Sequence, residues 1–310
     1  MNINNINLNE KILVLGAGQL GSAVLDSLVP EVTKRNGTVT VVVSPTSLDK
    51  QGNVISDRHR KYAAMGVTFI AVDIATKGID NLTPIFKPFH TVINCMGFIA
   101  GSGTQLKITH AVLKANVQRY FPWQFGVDYD AIGKGSGQPV WDEQYDVREV
   151  LRNQTSTEWV IVSTGMFTSF LFEPAFDVVN LSENTINALG GWGTQVTVTS
   201  PIDIGRLTTD IYLHQPRIVN EVVFIAGETL SYRALADVVE KIIGKPFIRK
   251  AFTLAYLQKE LNDKPDDQML RYRVAFAKEN GVWWPISQTY NVQNNIQTQN
   301  VEAWLKELIL

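Results

Sequence analysis

Apolar positions along the chain follow two alternating rhythms. Lys11–Leu15 (KILVL) is a short apolar run of strand length, and the segment behind it puts Leu20, Val24, Leu25 and Leu28 on one helical face. Thr38–Val43 (TVTVVV) is β-branched throughout, which suits a strand buried on both faces. Val67–Val72, His90–Cys95, Gln118–Phe121 and Trp159–Ser163 repeat the strand pattern. Helical segments are predicted between them, near 55–65 and 77–86, over Gln105–Lys114, and from Pro139 onward. Strand and helix taken in turn predict a parallel sheet with right-handed crossovers.

Beyond Thr164 the rhythm loosens. Thr185–Leu189 and Gln195–Thr199 flank Gly190-Gly191-Trp192-Gly193 and are expected to form a hairpin. Pro201–Tyr212 reads as a helix and Val222–Ala226 as a further strand. Ser231 caps a strongly periodic helix carrying Leu235, Val238, Val239 and Ile242, which Gly244 ends. Two more helices and a C-terminal one at Val301–Leu310 complete the chain. This half is expected to form a smaller lobe packed on the first, with the substrate cleft between them.

The connection after the first strand carries the candidate chemistry. Gly16-Ala17-Gly18-Gln19-Leu20-Gly21 matches G-x-G-x-x-G between a strand and a helix, the context in which that pattern means dinucleotide binding. Gly16 allows the tight turn, Gly18 lets a pyrophosphate approach the backbone, and Gly21 lets the helix pack on the strand. The free N–H groups and positive dipole end of the helix then face the phosphates.

The end of the second strand bears on which dinucleotide. NAD sites place an acid about 20 residues past the glycines for the ribose hydroxyl. Here the strand ends Ser44-Pro45-Thr46-Ser47, with no acid before Asp49. Ser44 and Thr46 offer hydroxyls to a phosphate, and Lys50, Arg58, Arg60 and Lys61 follow, so NADPH is expected over NADH. Asp73, at the third strand's end, is placed near the adenine. Met96-Gly97-Phe98 leaves the fourth strand, and Phe121–Asp130 (FPWQFGVDYD) leaves the fifth, at the sheet edge where open α/β folds bind ligands. Gly133, Gly135 and Gly137 suggest a mobile lid.

Composition removes several alternatives. Over 310 residues, 45% hydrophobic and 19% charged residues predict a globular core, and a net charge of −2 gives no reason to expect nucleic acid. A lone cysteine, Cys95, excludes an intrachain disulfide and fits a reducing cytoplasm; at an apolar strand end it reads as packed and inert. The start MNINNINLNE is a polar tail over residues 1–10 without signal-peptide character, and no run is long enough to span a membrane. The histidines at 59, 90, 110 and 214 show no metal spacing and read as surface or helix-face residues. No G-x-S-x-G elbow is present, nor the Tyr-x-x-x-Lys pair of short-chain dehydrogenases, because Tyr129 and Lys134 are one residue too far apart.

GAGQLG at 16–21, NCMGF at 94–98, YFPWQFGVD at 120–128, VREVL at 147–151 and VSTGMF at 162–167 together carry a resemblance. The chain resembles, over nearly its whole length, the NmrA-like and isoflavone-reductase-like branch of the atypical short-chain dehydrogenases. FPWQFGVDYDAIGKGS is similar to the aromatic alcohol reductase members. The resemblance implies a Rossmann-type doubly wound parallel sheet over 11–163. A smaller C-terminal α/β substrate lobe would follow over 164–310, with some segments returning to the sheet. It also implies NADPH as hydride donor and a small aromatic or phenolic substrate. Trp123, Gln124 and Phe125 would line the nicotinamide side, and Thr164, Gly165, Met166 and Phe167 would border cofactor and substrate. The plant members carry a lysine in the helix after this loop, and Gln144 stands there. An amide cannot act as a general acid near neutrality, though it can hydrogen-bond a carboxamide or substrate oxygen. Water, Tyr145 or Tyr129 would then supply the proton.

Two functions are compatible with these residues. One is an NADPH-dependent reductase of a small aromatic or quinone-like molecule held by Phe98, Trp123, Phe125, Met166 and Phe167. The other is an NADP(H)-sensing regulator that acts through a partner protein without turnover. A homodimer stays open, and no metal is expected.

Overall fold

A computed structural model describes residues 9–97 and 101–310. In its first half the chain runs β1 (Lys11–Leu15), α1 (Gln19–Thr33), β2 (Thr38–Val43), α2 (Asp57–Ala64), β3 (Thr68–Ala71), α3 (Ile79–Phe86), β4 (Thr91–Asn94), α4 (Thr104–Lys114), β5 (Arg119–Phe121), α5 (Tyr129–Ile132), α6 (Pro139–Arg152) and β6 (Glu158–Ser163). Every strand and helix expected here from apolar periodicity forms, with ends within about two residues of expectation.

A seven-stranded sheet is built on these strands, in the order β11-β6-β5-β4-β1-β2-β3, where β11 is Glu221–Phe224. β1 pairs in parallel with β2 on one side, Leu13 against Thr40, and with β4 on the other, Leu13 against Val92. The chain winds outward from β1 in one direction and then in the other, so the β1–β4 boundary is the topological switch point. The β-branched and leucine-rich centre is the cause: Ile12, Leu13, Val14 and Leu15 have no exposed surface, as expected of a strand covered on both faces. α1 buries Leu20, Val24, Leu25 and Leu28, and each such side chain contributes about 1.5–3 kcal/mol.

After β6 come β7 (Met166–Phe167), β8 (Val179–Asn180), β9 (Thr185–Leu189), β10 (Gln195–Thr199), α7 (Pro201–Leu213), then β11, β12 (Glu228–Ser231) and α8 (Tyr232–Ile243). β13 (Ile248–Phe252), α9 (Leu254–Asp263), α10 (Gln268–Ala277), α11 (Tyr290–Gln293) and α12 (Val301–Ile309) follow. Ser231 accepts the Ala234 N–H and Gly244 takes the left-handed conformation, so α8 has both its predicted caps.

One expected pairing does not occur. β9 and β10 are strands, but they are not a hairpin. β9 lies between β13 and β8 in one three-stranded sheet, and β10 lies between β12 and β7 in another. Gly190, at φ +81, turns the chain out of β9 while its N–H is held by the Phe252 carbonyl, so the turn leads away from its own strand. Long-range partners, β13 in parallel with β9 and β12 antiparallel to β10, take the edges a hairpin would have used.

Two compact units result. The first comprises Met1–Gln124, Glu143–Val162 and Ile204–Val222, and the second Phe125–Asp142, Ser163–Asp203 and Val223–Leu310. Residues 125–142, which the sequence placed within 11–163, therefore group with the second unit, and 204–222 group with the first. Phe176, Ile186, Leu189, Tyr232, Leu235 and Phe276 are at the core of the second unit.

Candidate active site

The glycine turn is shaped as its spacing requires. Gly16 sits at φ +86, a conformation L side chains rarely adopt, and donates its N–H to the Val42 carbonyl at 2.9 Å. A Cβ on Gly21 would overlap the Gly16 carbonyl, so helix and turn meet only because Gly21 has no side chain. Gly18 differs: an added Cβ would meet nothing within 4 Å, and its φ of −71 is ordinary. Space therefore stands open over Gly18. α1 begins beside it with no side-chain cap and no acid in its first turn. Such a helix start leaves backbone donors and partial positive charge for an anion.

That turn is one wall of a cavity of about 340 Å³. Ser44 and Ser47 line it from the end of β2, Asp73 and Ile74 from the end of β3, and Met96 from the end of β4. Ser44 Oγ lies 2.9 Å from Thr46 Oγ1 and 3.0 Å from Ser47 Oγ, a compact hydroxyl cluster at the exposed end. Asp73 Oδ1 accepts the N–H groups of Ala75 and Thr76, which fixes the bend after β3. Of the nearby cations, Arg60 pairs with Asp57 and Lys61 with Asp26, while Lys50 and Arg58 are exposed.

His59, read from sequence as a surface or helix-face residue, lines this cavity. Its Nε2 is 3.4 Å from the Ala17 carbonyl and its ring stacks tilted on Phe69, centroids 5.5 Å apart. The signal was present: Ser56 caps α2, and His59 lies one turn before Tyr62, so both share the helix face turned inward.

At the ends of β4 and β5, side chains rather than glycines set the geometry. Asn94 is fully buried; its amide donates to Gln105 Oε1 at 2.9 Å, and its oxygen accepts the Met96 N–H at 3.0 Å. Gln105 Nε2 donates to the carbonyls of Met96 and Gly97 at 2.8 and 3.2 Å. Glu143, from α6, accepts the N–H groups of Gly103, Gln105 and Leu106 at 2.8–3.1 Å, so an internal carboxylate occupies the start of α4. Gly97 faces the Trp123 ring, where a Cβ would lie 3.4 Å away. Sequence reasoning missed Asn94, Gln105 and Glu143, and the separations of 37–40 residues spanned by Glu143 leave no local signal.

Gln144 is fully buried, as are Gln124 and Arg148. Gln124 Nε2 donates to the backbone oxygen and the Oε1 of Gln144, at 3.0 and 2.7 Å, and Arg148 Nε donates to Gln124 Oε1 at 2.9 Å. Tyr145 is half-buried. Cys95 is buried, and burial pushes its thiol far above the usual cysteine range.

The structure thus gathers Gly16, Gly18, Ser44, Asp73 and Met96 around one cavity. Gln19, Leu20 and Gly21 lie in the first turn of α1, Thr46 is bonded to Ser44, and Gly97, Trp123, Gln124 and Gln144 cluster near the end of β5. Phe98 lies outside the described residues. Phe125, Tyr129, Thr164, Gly165 and Phe167 belong to the second unit. There Tyr129 is core: it is 2% exposed and packs edge-on against Trp141. Gly165, at φ +69, has the Thr197 backbone against the position a Cβ would take, and the N–H groups of Thr164 and Gly165 both donate to the Gly126 carbonyl.

The model of the NmrA-like family matches residues 8–305. The chain belongs to the NmrA-like family. An NmrA-like family domain-containing oxidoreductase of Gibberella moniliformis (strain M3125 / FGSC 7600) is 41% identical over 305 residues, covering 98% of this chain and 99% of that protein. A phenylcoumaran benzylic ether reductase of Betula pendula is 24% identical over 82% of each. Among solved structures, the binary complex of leucoanthocyanidin reductase with NADPH from Vitis vinifera superposes with a TM-score of 0.77 at 17% identity, over 96% of this chain and 99% of that one. That likeness confirms the Rossmann-type α/β fold of this NmrA-like chain, and its oxidoreductase relatives support an oxidoreductase role. Among its described residues no helix is long and apolar enough to cross a membrane.

Proposed function

We propose that this NmrA-like protein is an NADPH-dependent reductase of a small aromatic, phenolic or quinone-like acceptor. One observation carries the reading. An uncapped helix start and an open Gly18 adjoin a cavity whose β2 side presents a hydroxyl cluster and no acid. A dinucleotide bearing a ribose phosphate fits this set, because the backbone donors suit a pyrophosphate and nothing at the end of β2 repels a further phosphate.

Gly16, Gly18, Gln19, Leu20 and Gly21 would hold the pyrophosphate, and Ser44 and Thr46 the ribose phosphate. Asp73 would border the adenine. Met96, Gly97, Trp123 and Gln124 would frame the nicotinamide. The bound cofactor supplies hydride from C4 of its nicotinamide. Asn94 and Gln105 hold the Met96–Gly97 backbone, and Glu143 holds the backbone of Gln105 at the start of α4, so positioning would contribute much of the rate. Gln144 can donate a hydrogen bond but no proton, which leaves water, Tyr145 or Tyr129 as the proton source. Tyr129's burial makes it the weakest of the three.

The relatives support this choice of acceptor: the birch protein is named for reduction of a benzylic ether and the grape protein is a leucoanthocyanidin reductase. An oxidoreductase relative at 41% identity favours turnover over sensing without it. The test is an acceptor screen. Purified protein should oxidise NADPH when given quinones or aromatic carbonyls, in proportion to enzyme. Binding of NADPH with no consumption across that panel would contradict the reading.

A further inference from the structure

The buried amides near the end of β5 have a fixed polarity, and this decides what Gln144 can offer a ligand. Arg148 has only donors, so its contact at 2.9 Å makes the Gln124 atom that it meets the oxygen. Gln124 must then point its N–H₂ at Gln144, and it does, at 2.7 Å from the side-chain oxygen. Gln144 in turn has its oxygen engaged and its nitrogen at the far end. That nitrogen is buried and has no hydrogen-bond partner among the described residues. All three side chains have no exposed surface, so the amides cannot flip without stranding an oxygen or a nitrogen. A buried amide nitrogen left with two unused N–H groups points to an acceptor beyond the described residues.

We infer that Gln144 Nε2 is the donor that receives an acceptor oxygen of the bound ligands, and that Arg148 and Gln124 are positioning residues which fix it as a donor. This rests on the reductase reading. The oxygen belongs either to the nicotinamide carboxamide or to the acceptor substrate. The arrangement also gives a physical reason for an amide at position 144. A lysine there would add a second cation one helical turn from the buried guanidinium of Arg148, and it would lose the oxygen that Gln124 donates to.

Three proteins decide it: wild type, Gln144→Met and Gln124→Glu. Each is titrated calorimetrically with NADPH and with 2′-phospho-ADP-ribose, which lacks the nicotinamide, and each is assayed with an aromatic aldehyde. If the oxygen is the carboxamide's, Gln144→Met raises the NADPH Kd roughly tenfold and leaves 2′-phospho-ADP-ribose unchanged. If it is the substrate's, both affinities stay and KM for the aldehyde rises by a similar factor. In either case Gln124→Glu should reproduce the loss with Gln144 intact, because a carboxylate accepts from Arg148 but cannot donate to Gln144.

Wild-type behaviour of both variants would overturn the inference. Loss in Gln144→Met alone would overturn the positioning role. Should either variant fail to fold, wild-type protein labelled with ¹⁵N at glutamine side chains still answers. One amide pair should move downfield as NADPH or aldehyde is added, and no movement overturns the proposal. A wild type that binds no NADPH fails at the earlier step, and the reductase reading falls with this inference.

Discussion

The two halves of the candidate site are built by different means. On the β1–β2–β3 side the groups that would meet a ligand are backbone donors and short hydroxyls, placed by a glycine turn and a helix start. At the ends of β4 and β5 they are held by long side chains: Asn94 with Gln105, Glu143 on the start of α4, and Arg148, Gln124 and Gln144 in a row. Under the proposed function, the first arrangement would bind whatever carries phosphates. The second would fix orientation, which hydride transfer requires. Affinity is therefore expected to depend mostly on the first side and turnover mostly on the second.

The largest separation of the two sides comes from Gly18→Val. Its φ and open surroundings accept a side chain, so the melting temperature should hold while NADPH affinity falls at least ~100-fold, the scale on which filling a ligand position removes binding. Calorimetry together with a thermal melt checks both halves of that statement, and unchanged affinity would make the glycine turn purely architectural. Glu143→Ala strikes the other side. It strips three N–H groups and the start of α4 of their carboxylate, costing about 1–2 kcal/mol of stability as a lost cap does. Denaturant unfolding measures this, and kcat should drop more than NADPH affinity. Equal losses would erase the distinction between binding side and orienting side.

Ser44→Ala is milder. Removing one hydroxyl from the cluster with Thr46 and Ser47 should weaken NADPH by roughly fivefold and leave NADH alone, the worth of a single hydrogen bond. A parallel loss for both cofactors would move the ribose phosphate elsewhere. Smallest of all is Cys95→Ala, expected to change neither binding nor rate. The native thiol, whose pKa burial raises, should resist a disulfide reagent that reacts once the protein is unfolded. Rapid modification of native protein would contradict that.

The same contrast explains what the sequence made legible. Backbone-built features have local signals: Gly16, Gly18 and Gly21 between a strand and a helix, Ser231 and Gly244 around α8, and the β-branched run of β2. All of these were readable in windows of a few residues. Side-chain networks join distant segments, and no such window contains both Glu143 and Gly103. His59 lay between the two cases. Its helix face could be read from Ser56 and Tyr62, but the Ala17 carbonyl it approaches is 42 residues away. The expected hairpin at 185–199 failed for a related reason. Both strands carried strand signals, yet their partners β13 and β12 come from later in the chain, and partner choice is a tertiary property.

Calorimetric titration of the wild-type protein with NADPH, NADP⁺ and NADH under one set of conditions tests the central claim most directly. The account predicts tight NADPH binding, with NADH weaker by at least about tenfold, as expected when a ribose phosphate meets a hydroxyl cluster rather than an acid. Equal affinity for NADPH and NADH, or no binding of any of the three, would contradict it.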